Sequence, residues 1–468
     1  MAEQREYDVV VIGGGSTGEN AAWYARVGGL TAAVVESELI GGECSYWACM
    51  PSKALLRPGE VLAAARRVPA AAAAVTGSVD VEKALASRDA FAGGWDDGPQ
   101  ADWLAGVDVD VVRGTGRLSG ERAVQVDTPD GDRITLRARR AVVVATGSAA
   151  AVPPIEGLRD IAVWDNRDVT SAKQVPARLL ILGGGVVGAE MAQAFRRLGA
   201  EEVTVVEQAD RLLPAEEPFA GEELAAAFAE AGIRVLTGRS VVRAARHAAD
   251  GPVTLTLADG TELTGDELLV AAGRRANTDD IGLETVGLSP GGYLDTDDQL
   301  RARGVEGGWL YAAGDVNGRA LLTHQGKYQA RLVGDLIAGR AGEAWADHRA
   351  VPRVTFTDPQ VAAVGRTEQQ ARDAGVDVRT VSYDIGSTAA GALAGKGVHG
   401  TAQLVIDGAR RVVVGATFVG AGAGELLHAA TIAIVGDVPL DTLWHAVPAF
   451  PTLSEVWLRL LEAERGVS

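Results

Sequence analysis

Val9-Val10-Val11-Ile12-Gly13-Gly14-Gly15-Ser16-Thr17-Gly18 joins a β-branched apolar strand to a glycine turn, and an Ala-rich helix follows from about Glu19. A second strand over 31–35 ends at Glu36, 23 residues beyond Gly13. This order suits a dinucleotide. Glycines allow the tight turn and the approach of a pyrophosphate, the helix start offers unpaired N–H groups, and Glu36 can accept from ribose hydroxyls. The glycines alone are a weak signal; the strand, helix and acid around them make it strong.

The unit occurs twice. A strand over 179–182 leads into Gly183-x-Gly185-x-x-Gly188, a helix over 189–198 and a strand over 203–206 ending at Glu207, 24 residues from Gly183. Two fingerprints imply two dinucleotide sites, for a redox protein naturally a flavin and a nicotinamide. Each is followed by a hairpin and a closing strand. The first has strands over 124–126, 134–136 and 141–144 with an Asp130-Gly131 turn, then Ala145-Thr146-Gly147. The second has strands over 253–257, 262–264 and 268–271 with an Asp259-Gly260 turn, then Gly273-Arg274. Asp-Gly between β-rich runs is a strong hairpin signal.

The halves read as duplicated modules, the second inserted into the first, with a crossing at the Pro-rich stretch 152–155. After residue 345 the pattern changes to strands over 354–356, 403–406 and 412–418, a helix over 424–435 and a last helix after Pro451. The expected fold is α/β, with two three-layer Rossmann-like dinucleotide-binding domains and a C-terminal α+β dimerisation domain. The expected boundaries are 1–150 and 276–345 for the FAD domain, 151–275 for the NAD(P)H domain and 346–468 for the interface domain.

Composition narrows the function. A chain of 468 residues with 59 glycines and a net charge of −18 repels phosphate backbones and anionic lipid, so no nucleic-acid or membrane partner is expected. The N-terminus has no apolar signal region, and the Ala-rich stretch 61–75 is broken by Arg66, Arg67 and Pro69, which makes a cytoplasmic enzyme the default. No metal site is expected. The only cysteines are Cys44 and Cys49. A loop this short gives little entropic stapling, so they are either a redox pair or two thiols packed as small hydrophobes. Their place just after Glu36 favours redox chemistry. A helix beginning near Cys49 would favour a thiolate there.

With GGGSTG, GGECSYWACMPSK, ATGS, GGGVVGAE, GRRAN, YAAGDV and FPTLSE in that order, the chain resembles the class I pyridine nucleotide–disulfide oxidoreductases, among them lipoamide dehydrogenase, glutathione reductase and mercuric reductase. The resemblance implies that Gly13, Gly15, Gly18 and Glu36 hold the ADP half of FAD and that Asp315, after Gly314, binds the ribityl chain. Ser16, Gly42, Thr146, Gly147 and His324 would complete the flavin contacts. Cys49 would face the flavin, Cys44 would be the interchange thiol, and Lys53 would lie near flavin N5, paired to Glu190. Read without the family, Asp315 is a helix cap and Lys53 and Glu190 are solvated charges. Gly183, Gly185, Val186, Gly188, Glu207 and Gly273 would hold the nicotinamide cofactor. Glu207 favours NADH by repelling a 2′-phosphate, although Arg211 nearby leaves NADPH possible. Val186 stands where glutathione reductase-like members place a gating tyrosine. A homodimer is implied as well.

The chain departs from the disulfide-reducing pattern at one decisive place. Where those members read His-Pro-Thr-x-Ser-Glu, this one reads Phe450-Pro451-Thr452-Leu453-Ser454-Glu455. The histidine, oriented by the glutamate, is the general acid–base; phenylalanine cannot move a proton, and such help is worth roughly 10²–10⁴-fold. His445 and His324 are the candidate substitutes, each otherwise a surface or capping residue. Mercuric reductases also carry Phe-Pro here, but their C-terminal cysteine pair is missing and Thr452 replaces their tyrosine. Tyr46 and Trp47, bulky for this loop, either pack in the core or offer a stacking surface to a flat acceptor. The expected activity is electron transfer from NADH through FAD and Cys44–Cys49 to a small disulfide or other thiol-reactive acceptor. The alternatives are quinone (diaphorase) reduction or metal reduction of the mercuric-reductase type.

Overall fold

Val9, Val10, Val11 and Ile12 are all buried but face two different cores. Val9 and Val11 pack with Ala21, Ala25 and Val333, whereas Val10 and Ile12 pack with Val124, Leu136 and Leu310. A strand covered on both faces needs an unbroken apolar run, so the sequence shows no alternation there. In the computed structural model, which describes residues 3–246, 248 and 251–467, this strand (Glu3–Ile12) lies inside a seven-stranded sheet. Residues 9–12 run parallel to 32–35 and to 141–144.

The separate strands expected over 134–136 and 141–144 are one 12-residue strand, Arg133–Val144. It pairs antiparallel with Ala123–Asp127 at its start and parallel with Leu310–Ala312 at its end. Arg137, Arg139 and Arg140 interrupt the apolar pattern without interrupting the strand; Arg139 turns outward to Asp8 at 2.8 Å.

The second fingerprint repeats the arrangement. Leu179 and Ile181 face one core and Leu180 and Leu182 another. Their strand, Arg178–Leu182, sits in a four-stranded parallel sheet with Glu202–Val206, Ile233–Leu236 and Glu267–Val270. The hairpin Val253–Leu257/Glu262–Gly265 does not continue that sheet. It forms a separate three-stranded one with Val241–Arg246, a strand the sequence did not announce. Gly131 and Gly260 occupy the turns with φ of 86° and 85°, the left-handed region that Asp-Gly hairpins require. Ser148–Ala150 and Arg274–Ala276 pair antiparallel, so the outgoing and returning crossings between the modules run side by side.

The C-terminal segment is a five-stranded antiparallel sheet covered by helices Leu427–Val435 and Glu455–Glu464 around Phe418, Ile434 and Trp457. The helix expected from residue 424 starts later; residues 423–426 form a 3₁₀ turn and the α-helix begins at Leu427. Strands Gln360–Gly365 and Val378–Asp384 were not expected. By contact density the chain forms two compact units, residues 1–51 with 89–151 and 274–348, and residues 52–88 with 152–273 and 349–468. Among the described residues no helix is long and apolar enough to cross a membrane.

Candidate active site

The first unit carries the glycine turn and the cysteines. Gly13 has a φ of 100°, and a Cβ on Gly18 would run into the Gly13 carbonyl oxygen, so neither position tolerates a side chain. Gly14 N–H donates to Glu36 at 2.6 Å and Glu38 N–H donates to its other oxygen at 2.7 Å, which fixes the carboxylate beside the turn. Gly15 is bridged to Gly41, and Gly42 packs against the Gly15 backbone. The redox loop is therefore fastened to the turn through residues without side chains.

Cys44 lies in the short helix Gly42–Tyr46, and Cys49 opens the helix Cys49–Arg67. Both are half-buried thiols, not joined in a disulfide. The Cys44 thiol is held well above its usual range, first by its hydrogen bond to Cys49 and then by burial, while Thr323 and Lys327 act in the opposite direction. The two thiols thus stand within hydrogen-bond reach of each other. Thr323 Oγ1 stands 3.2 Å from Cys49 Sγ.

Tyr46 is not a stacking surface. It is 1% exposed, and its hydroxyl donates to the Ile40 carbonyl at 3.1 Å. Trp47 is half-buried, edge-on to Tyr46 with ring centroids 5.6 Å apart.

Asp315 is half-buried, and its desolvation raises its pKa against the pull of Ser148 and Arg274. Ser148 Oγ donates to it at 2.6 Å and accepts from Arg274 Nε at 2.6 Å. Gly314, with a φ of 81°, donates its N–H to Gln329 at 2.7 Å. Thr146 Oγ1 donates to the Asn277 carbonyl at 2.8 Å, and Asn277 N–H donates to the Gly147 carbonyl at 3.1 Å. Arrayed so, the sequence-nominated residues fit FAD: a turn cleared of Cβ atoms, an acid fixed beside it, and a half-buried carboxyl with a serine on it. His324 is exposed at the second position of helix Thr323–Ile337; its neighbour Thr323 faces the thiol. Thr323 and Ser148 were missed as site residues. Thr323 stands next to His324 and Ser148 ends the ATGS motif, yet only the fold brings them to a thiol 274 residues away and an acid 167 away, respectively.

The second unit holds the other fingerprint. Gly183 has a φ of 109°, and Gly184 N–H donates to Glu207 at 2.6 Å, with Ala209 N–H on its other oxygen at 2.7 Å. Arg211 is turned to Asp210 at 3.2 Å and to the Pro214 carbonyl at 3.1 Å. Gly185 opens the helix Val186–Arg197 as its cap, Gly188 packs on the Gly183 carbonyl, and Val186 is 45% exposed. Lys53 Nζ donates to buried Glu190 at 2.8 Å; the other Glu190 oxygen accepts from Phe356 N–H at 2.9 Å. Neither charge is simply solvated.

At the C-terminal motif, Phe450 is 75% exposed and His445 is exposed. Glu455 is buried, with Arg459 on one oxygen at 2.7 Å and Ala389 N–H on the other at 3.3 Å. The carboxylate that would orient a histidine is thus held by its own helix. Among the described residues no cluster of three or more His, Cys, Asp or Glu could hold a metal ion.

The family model of the pyridine nucleotide-disulphide oxidoreductases matches residues 7–330, and that of their dimerisation domain matches residues 351–460. The chain is 30% identical to a mercuric reductase of Staphylococcus aureus over 99% of its length and 83% of the relative's. It is 33% identical to a dihydrolipoyl dehydrogenase of Chlorobaculum tepidum over 96% of its length and 95% of the relative's. The crystal structure of LpdA from Mycobacterium tuberculosis superposes with a TM-score of 0.85 at 26% identity, covering 99% of this chain and 100% of that one.

Proposed function

Because the chain belongs to the class I pyridine nucleotide–disulfide oxidoreductases, enzymes that use FAD and NAD(P)H, we propose that it oxidises NADH and delivers the electrons through Cys44 and Cys49 to a small disulfide or other thiol-reactive acceptor. One observation carries this reading: a half-buried thiol pair in which Cys44 is hydrogen-bonded to Cys49, with Thr323 on Cys49. Bound FAD would supply the ring that accepts a hydride on one side and reduces the disulfide on the other.

The chain's residues do the rest. Gly13, Gly15, Ser16, Gly18, Gly42, Thr146, Gly147 and Gly314 let backbone N–H groups approach the flavin nucleotide, and Glu36 and Asp315 hold its hydroxyls. Gly183, Gly185, Val186, Gly188 and Gly273 form the nicotinamide cradle. Glu207, fixed by two backbone N–H groups, presents a negative charge where a 2′-phosphate would sit. The inward turn of Arg211 removes the cation that would welcome one. Lys53, paired to Glu190, would be the lysine that the family places near flavin N5. Cys49 would be the thiol on the flavin side, while Cys44 attacks the acceptor. Residues 1–150 with 276–345 would form the FAD domain, 151–275 the nicotinamide domain and 346–468 the homodimer interface. A reducing compartment such as the cytoplasm suits a dithiol that must be regenerated.

A second reading, quinone reduction by the flavin, is favoured by the capture of Glu455 by Arg459, which removes the usual acid–base pair. Relatives named mercuric reductase add mercuric ion to the acceptors worth screening, although this sequence has only two cysteines. Anaerobic titration of the flavin-loaded protein with NADH decides between them. A long-wavelength band from a thiolate beside oxidised flavin, arising before the flavin bleaches, supports the thiol route; direct bleaching without the band overturns it and puts quinones first.

A further inference from the structure

Thiol exchange at Cys44 needs a group that takes the Cys44 proton and later returns one to the departing thiolate. His445 and His324 are both exposed, and Phe450 cannot serve. Glu19, half-buried in the first turn of helix Ser16–Val27, has no hydrogen-bond or ion-pair partner among the described residues.

Three elements bring it toward the thiols. The bridge from Gly15 to Gly41 and the packing of Gly42 on Gly15 lay the first turn of helix Ser16–Val27 beside helix Gly42–Tyr46, which carries Cys44. Helix Thr323–Ile337 packs on the same turn, where a Cβ on Gly326 would collide with the Thr17 hydroxyl. Thr323 touches Cys49, and one turn further along that helix the ammonium of Lys327 acts on both Cys44 and Glu19. The charge of Glu19 is felt in turn by Tyr46, two residues after Cys44. The charged and titratable groups tied to Glu19 are thus Lys327 from one helix and Tyr46 from the other, with Cys44 on that second helix sharing Lys327, while Val9, Val11 and Val34 line the core beneath.

We infer that Glu19 is the proton carrier for Cys44, with Lys327 steadying the intervening thiolate. The inference rests on Cys44 being the interchange thiol. The Glu19 carboxylate accepts the proton of Cys44 Sγ–H, and the thiolate electron pair attacks one sulfur of a disulfide R–S–S–R. The S–S pair leaves on RS⁻, which takes the proton from Glu19. The Cys49 thiolate then displaces the second RS⁻ from Cys44, closing the Cys44–Cys49 disulfide, and that RS⁻ takes its proton from solvent. The dithiol loses two electrons and the acceptor gains them.

An acid–base of ordinary carboxylate strength would return a proton poorly near neutrality. Burial pushes Glu19 up to about 7, with Lys327 pulling against it, which matches the group to the task. Glu19 is also absent from the pattern that nominated His445 and His324, since its sequence position reads only as the first turn of a nucleotide-binding helix.

Two disulfide probes separate the roles. Hydroxyethyl disulfide expels a basic thiolate that needs a proton; 5,5′-dithiobis(2-nitrobenzoate) expels an acidic one that leaves without help. In the flavin-loaded protein, Glu19→Gln is expected to slow turnover of the first about 10–100-fold and of the second far less, with Glu19→Asp restoring part of the loss. In NADH-reduced protein, the pH profile of Cys44 alkylation by iodoacetamide, followed by mass spectrometry, is expected to lose its limb near 7 in Glu19→Gln and to shift upward in Lys327→Met. Equal slowing with both probes, no slowing with either, or an unchanged alkylation profile in both variants overturns the inference while the thiol route stands. An unmodified enzyme that bleaches without the thiolate band overturns the thiol route and Glu19 with it.

Discussion

The two glycine turns are near copies in backbone and opposites in surroundings. Gly14 donates to Glu36 and Gly184 to Glu207, both at 2.6 Å, and a side chain on Gly18 or on Gly188 would strike the carbonyl of Gly13 or of Gly183. Around the first turn Ser16 and Thr17 are half-buried, with Thr17 packed against Gly314 and Gly326. Around the second, Val186 and Val187 are 45% and 37% exposed. One steric solution serves both nucleotides, and what covers it differs. A covered turn suits a group that stays, and an open turn suits one that must come and go.

Matched substitutions would break or sharpen that contrast. The largest effect is expected from Gly18→Ala and Gly188→Ala, since placing a methyl on a carbonyl oxygen costs roughly 1–3 kcal/mol, about 5–150-fold in affinity. Gly18→Ala should purify depleted of yellow colour, whereas Gly188→Ala should keep its flavin and need more NADH for half-reduction. Loss of flavin from both would erase the distinction between the turns.

A smaller effect separates the acids. Glu207→Gln is expected to lower the preference for NADH over NADPH about tenfold in kcat/KM, a change of about 1.4 kcal/mol. Glu36→Gln should leave the preference alone and loosen the flavin, as equilibrium dialysis would measure. Smaller again, Glu190→Gln should lower stability by about 1–2 kcal/mol in urea unfolding, below the range for a buried pair because Lys53 is 35% exposed.

The last effect, spread over pH, concerns the unpaired acid of the first helix. Burial raises Glu19 to about 7, so the folded chain holds a proton that the unfolded chain releases from the ordinary carboxylate range upward. Stability therefore falls as pH rises through that window to about 7, and Glu19→Gln should flatten this part of the profile. Urea midpoints between pH 4 and 8 check the slope; a profile that does not change on substitution would mean Glu19 is not buried as described.

Much of this was legible in the chain because it is local. Glycine sterics fix Gly13 to Gly18 whatever lies elsewhere, and the acid 23 residues on follows from one helix and one strand. The continuous strand Arg133–Val144 was not legible, because arginines on an outward face look like a break until the partner strands are known. Nor was the fate of Tyr46, since a buried aromatic and a stacking one read alike. Thr323 on Cys49 depends on a return of the chain that spacing cannot show. The capture of Glu455 was readable and overlooked, as Glu455 and Arg459 stand one helical turn apart, the ordinary distance for such a pair.

Phe450→His alone would restore half of a dyad, for the carboxylate meant to orient the imidazole already holds Arg459 and the Ala389 N–H. Building the family's dyad here must free Glu455 as well, so a histidine at 450 gains its orienting carboxylate only when Arg459 is replaced too. The helix thus works as a latch whose two catches open only together.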